Sequence, residues 1–220
     1  QLEADLDRTF HTRLFDPPQA TLRELIAALR ETYCRTIGVE YMHIRNQQIR
    51  ALVIAFGVGS LISVGLGVYG SLHEPTFFAL NLAGFSSGIA AKAWLATGAF
   101  VLAVVQLVSA LIMYGRIPVE APSWIGGLHR WSGRAAVLLT VPVAVHCLYA
   151  LGFQAGEPRV LVHSLFGCFF YGAFAAKMLV LRADTPKWTL PVLGGAVFSA
   201  LTALWLTASV WFFATSGLTF

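Results

Sequence analysis

His146 and His163 are the residues whose type and spacing point to chemistry. Each lies in an apolar run, His146 shortly before Gly152 and His163 shortly after Arg159, with the turn 152–159 between them. Read as antiparallel helices rising about 1.5 Å per residue, the two runs place both side chains within roughly one helical turn of the same depth. An ionisable side chain inside hydrocarbon is costly and is by default a functional candidate. Two neutral imidazoles on facing helices are the ligand set of a b-type haem, with iron as the metal, and a helical bundle is a common scaffold for such ligands. The competing readings are an interhelical hydrogen bond and a proton or metal role.

The elements that must position these histidines follow from composition. Hydrophobic residues are 57% of the 220 positions, charged residues only 12%, and mean hydropathy is +0.69, which excludes an ordinary soluble domain. The expected class is all-α, an integral membrane bundle of five transmembrane helices with a short N-terminal amphipathic helix. The net charge of +4 implies no nucleic-acid partner, because most basic residues fall where membrane-flanking loops would place them. Cys34, Cys147 and Cys168 show no metal-binding spacing and are expected to be reduced.

Two regions are expected, a cytoplasmic segment over 1–46 and a membrane domain over 47–220. In the first, Thr21 and Glu24 have the capping-box form and Leu22, Leu25, Ile26 and Leu29 follow at helical spacing, so 21–33 reads as an amphipathic helix that packs on the spans or on a partner. Residues 1–50 are polar and show no signal peptide, which leaves the first span as its own insertion signal. Spans are expected at about 51–70, 94–115, 135–153, 160–181 and 190–213. Gly59, Ser63 and Gly67 form a small-residue stripe suited to close helix packing. The stretch 71–92, with His73 and Phe77-Phe78-Ala79-Leu80, reads as an interfacial lid, and Gln106 as a buried amide bonded between helices. Pro142, one turn before His146, should bend its helix and make room beside the ring.

Further candidates lie toward the opposite end of the bundle from the histidine pair. In the connector 116–133, Arg130 and Arg134 are four apart, so on a helix they point the same way and suit lipid phosphate, a haem propionate or a quinone head. Lys177 follows His163 by fourteen residues on the same stripe and reads either as a snorkelling lysine or as a partner of His129, Arg130 and Arg134 around a quinone or propionate. His129 and His146 are seventeen apart and point about 100° away from each other, which argues against a second stacked haem. Lys92 completes the cofactor-binding set.

Basic residues are unequally divided. Arg45, Arg50, Arg116, Arg130, Arg134, Arg182 and Lys187 share one side and Lys92 and Arg159 the other, which puts the N-terminus in the cytoplasm, the C-terminus outside, and His146, His163 and His73 in the outer half of a plasma membrane.

Two resemblances add to this. Thr21-Leu22-Arg23-Glu24 and 29–44, which includes Tyr33-Cys34-Arg35-Thr36-Ile37-Gly38-Val39-Glu40-Tyr41-Met42-His43-Ile44, resemble a segment of the thiamine-dependent first component of 2-oxoglutarate dehydrogenase. No catalytic residue is carried over from it. From Lys92 onward the chain resembles a family of small actinobacterial membrane proteins, on His129-Arg130-Trp131-Ser132-Gly133-Arg134, on 142–154 around His146 and on 159–168 around His163. More loosely, the His129-Arg130 opening and the paired histidines are similar to membrane cytochromes b, which implies haem b, electron transport and a respiratory-chain setting. The chain departs from them in lacking the second spaced histidine pair.

The leading functional expectation is therefore an electron-transfer protein or subunit with one haem b between His146 and His163, exchanging electrons with quinone or with a membrane or periplasmic-side redox partner. The alternative is a non-catalytic accessory subunit of a larger respiratory or transport complex, its histidines only tying helices together. A transporter ranks last, because the spans show no inverted repeat and no paired acids.

Overall fold

The computed structural model describes residues 22–77 and 84–220. Among these residues all regular structure is helical. Helix α1 is Leu22–Leu72, α2 Gly88–Met113, α3 Ile125–His146, α4 Pro158–Val180 and α5 Thr189–Trp205. A π-helical turn, Cys147–Leu151, extends α3, and a second, Leu206–Val210, joins α5 to the short α6, Trp211–Ser216. Five segments are long and apolar enough to cross a bilayer, and large apolar side chains such as Val53, Leu61 and Leu138 turn outward along them. The chain is a multi-pass membrane protein of the all-α class.

The first element differs from expectation. A separate amphipathic helix over 21–33 and a span over 51–70 are replaced by one continuous α1 of 51 residues, about 77 Å at the helical rise. No proline interrupts 33–51, and local pairs support the helix there: the Thr36 hydroxyl donates to the Thr32 carbonyl, Arg35 pairs with Glu31, and Gln47 bonds His43. The apolar side chains of this extension, Ile26, Tyr33, Ile37 and Tyr41 among them, are exposed, so they do not pack on the spans. Thr21 at its head lies outside the described residues, as do Phe78, Ala79 and Leu80 of the expected lid.

The third span also begins earlier, at Ile125, so His129, Arg130 and Arg134 ride on α3 and not on a connector. A polar stretch can be helical at that depth because its polar groups are satisfied against α2. Gln106 donates to the His129 carbonyl and, at 2.8 Å, to Ser132. Ser109 bonds His129 Nδ1 at 2.8 Å. Gln106 therefore acts as the interhelical amide its sequence position suggests, and His129 is built into the α2–α3 contact.

α2 packs on α3, while α4 packs between α1 and α5. The small-residue stripe explains how closely α1 and α4 approach: a Cβ added at Gly59 would stand 2.7 Å from the Gly172 carbonyl oxygen and 3.0 Å from Ala176 Cβ. Alanines fill the other contacts, Ala99, Ala103 and Ala200 around Phe170 and Ala55 and Ala176 around Val180. α3 and α4 are consecutive in the chain yet stand apart, bridged where the Tyr171 hydroxyl donates to Thr140 at 3.0 Å.

At the end where α3 turns into α4, the chain is closed by a tight approach. Gly152 has φ +67, and a Cβ there would meet the Gly70 carbonyl at 2.8 Å, while Phe153 N–H donates to that same carbonyl at 2.7 Å. α2 starts at Gly88, with Ser87 as its N-cap, and its Trp94 is clasped by the chain end through a bond to the Thr219 carbonyl and a stack on Phe220 at 4.4 Å.

Candidate functional site

The space between α3 and α4 is a cavity of about 350 Å³, and the hydrogen-bonded Tyr171 and Thr140 are among the residues that line it. Its volume is at the small end of the range of ligand pockets, and its wall is almost wholly apolar. Both π turns border it, Cys147 and Leu148 from one and Thr207 and Ala208 from the other. Single π turns inside helices release carbonyls from the usual ladder and recur at functional sites. Here the released groups are taken up. The Thr207 carbonyl accepts from Arg159 Nη1 at 2.7 Å. The Tyr149 carbonyl accepts from His73 Nε2 at 3.0 Å and from the Thr76 hydroxyl at 3.3 Å. His73, sandwiched between the rings of Tyr69 and Tyr149, thus pins the 73–77 stretch to α3.

His163 is on the cavity wall. Its Nδ1 lies 3.0 Å from the Thr207 hydroxyl oxygen, whose own proton goes to the Ala203 carbonyl at 2.7 Å. With that proton committed, Thr207 can only accept from the ring, so Nδ1 carries the imidazole proton and Nε2 keeps the lone pair. Such an outer hydrogen bond is what orients a ligating histidine.

His146 is placed differently. It is buried, at 7% exposure, but the wall is formed by its neighbours Val143, Ala144 and Cys147, and His146 is not among the lining residues. The matched depth expected of the two histidines therefore does not bring both rings onto one surface. Lys92, from the first turns of α2, also lines the cavity. Arg159 lines it too, its guanidinium 3.9 Å over the Trp211 ring and paired with Glu157 at 3.8 Å.

The remaining candidates are at the other end and are not gathered into one site. Lys177 is half-buried in the last turn of α4. Arg130 and Arg134 are exposed, and Arg134 stacks at 4.9 Å on the outward-facing Trp131. Among the described residues no group of three or more His, Cys, Asp or Glu is arranged to hold a bare metal ion.

Sequence reasoning did not single out Thr207, Tyr171 or Thr140. The available signal was a hydroxyl within each apolar span, too common in membrane helices to mark a site without knowing which face it occupies.

Comparison with known proteins separates the chain into two parts. A short segment is 51% identical over 49 residues to the 2-oxoglutarate dehydrogenase E1 component of Azotobacter vinelandii, covering 21% of this chain and 5% of that protein. The E1 component of Coxiella burnetii is 45% identical over 49 residues, 22% of this chain and 5% of the relative, and the mitochondrial 2-oxoglutarate dehydrogenase of Dictyostelium discoideum 50% over 32 residues, 14% and 3%. The chain thus spans about 5% of the length of the first of these relatives. No solved structure matches it. Residues 52–220, which take in the end of α1, the four later candidate spans and the whole cavity wall, match the model of the Family of unknown function (DUF6529), and the chain belongs to that family.

Proposed function

We propose that this protein is a b-type cytochrome-like electron-transfer protein or subunit of the plasma membrane, with its N-terminus in the cytoplasm and its cavity in the outer half of the bilayer. The observation that carries the reading is His163, a wall histidine whose Nδ1 is held by Thr207 so that Nε2 retains its lone pair. The donor chemistry fits haem b on this side: an imidazole nitrogen, an apolar wall for the ring, and the cations Lys92 and Arg159 for its carboxylates. His163 would hold the iron from the wall, while His146, buried off that wall, is not placed as its second ligand.

When bound, haem b supplies one-electron transfer. The chain's own residues define the setting. Thr207 orients His163, the hydrogen-bonded Tyr171 and Thr140 line the cavity, and Gly152 and Phe153 close the loop end against α1. Quinone, or a redox partner at the outer face, would exchange electrons with this site.

The test is an absorption spectrum of detergent-solubilised protein, reduced minus oxidised. The expected result is a haem b spectrum in the wild type and its loss in a His163→Ala variant that still inserts. Full haem occupancy in that variant would remove His163 from the site.

A second reading has its own support, since His146 is buried off the cavity wall and His129 is engaged by Ser109 and Gln106. On it the protein is an accessory subunit of a respiratory or transport complex, and it would purify colourless together with a partner.

A further inference from the structure

The cavity wall carries two side chains of fixed positive charge and no carboxylate. Lys92 and Arg159 both line it, and no Asp or Glu does. Among the described residues the ion pairs are Arg35 with Glu31 and Arg159 with Glu157, so no carboxylate neutralises Lys92. Glu157, the partner of Arg159, is itself largely exposed, and the contact is long at 3.8 Å.

Charged groups within membrane spans pair with one another, meet backbone carbonyls or mark a ligand path. Arg159 is held in place: Nη1 donates to the Thr207 carbonyl, Nη2 faces Glu157 only at 3.8 Å, and the guanidinium carbon lies 3.9 Å over the Trp211 ring. Lys92 and Arg159 sit near the starts of α2 and α4, which lie at the same end of the bundle. The cavity is thus apolar along its length and cationic at one end.

We propose that Lys92 and Arg159 form an anion-holding end of this cavity, and that its ligand is an apolar body bearing a carboxylate. On the function proposed above, that carboxylate is a tetrapyrrole propionate. A fatty acid offers the same chemistry, so the experiment separates the two sources.

Haem-free protein in dodecylmaltoside is titrated with haemin and with haemin dimethyl ester, read by absorbance, and with palmitate, read by tryptophan fluorescence. The expected result is that wild type prefers haemin to the diester by about tenfold or more, the effect of a charge-assisted hydrogen bond. Lys92→Met should abolish the preference, and Arg159→Lys, which keeps the charge, should retain part of it. Equal affinity of wild type for acid and ester, or a preference that survives Lys92→Met, overturns the proposal and leaves the haem reading standing. Uptake of palmitate without haemin, lost in Lys92→Met, supports the anion site and overturns the haem reading. Binding of none of the three overturns both. Helical content and thermal unfolding of each variant distinguish lost binding from lost folding.

Discussion

His163 Nδ1 donates to the Thr207 hydroxyl across 3.0 Å, joining α4 to the π turn that follows α5. A threonine that also back-bonds to Ala203 holds the ring in one tautomer and one orientation. Replacing Thr207 by Val should therefore lower haem affinity about ten- to a hundredfold, the usual cost of losing an outer partner of a ligand. Thr207→Ser, which keeps the acceptor, should stay near wild type. Titration of the haem-free protein checks both, and unchanged affinity in the valine variant would detach Thr207 from the site.

The contact of Gly59 with Gly172 leaves no room for a side chain. Gly59→Val should destabilise the α1–α4 packing by about 1–3 kcal/mol, the cost of overfilling a tight contact. Gly57, two residues earlier on the exposed face with open space around it, is the control and should tolerate Val. Thermal unfolding in detergent reads the difference; equal midpoints would contradict the packing of α1 on α4.

Gln106 ties α2 to α3 through the His129 carbonyl and Ser132. Gln106→Leu should cost roughly 1–2 kcal/mol, as interhelical hydrogen bonds in membranes do. If His129 serves packing, this variant should leave haem uptake intact while lowering the unfolding midpoint. A spectrum lost with the fold preserved would instead bring His129 into the site.

Topology is open to labelling. In a Cys34→Ser background, Gly156→Cys on intact cells should react with an impermeant maleimide and Asp184→Cys should react only after lysis. The two positions lie in turns at opposite ends of α4. Reaction of Asp184→Cys alone would invert the orientation drawn from the basic residues.

Much of the architecture was legible in the residues, because hydropathy is a local property and a crossing needs only length and apolarity. The five crossings, the Gly59-Ser63-Gly67 packing stripe and the bonding role of Gln106 can all be read from the chain. Boundaries were less legible. The polar stretch His129-Arg130-Trp131-Ser132-Gly133-Arg134 reads as a connector until α2 is present to satisfy Ser132 and His129, and the run before Ala51 reads as a separate helix because nothing polar or apolar in it marks continuity with α1.

The candidate site shows the same division. From the sequence alone come the class of the protein and the presence of histidines in apolar runs, since these depend on residue type. Only the tertiary structure decided that α3 and α4 stand apart around a cavity, that His163 is on its wall held by Thr207, and that His146 is buried beside the wall and not on it. The physical reason is azimuth. Which way a helical side chain points depends on how each helix is rotated against its neighbours, and that rotation is set by contacts between segments far apart in the chain, from Gly59 on Gly172 to Arg159 on the freed carbonyl of Thr207.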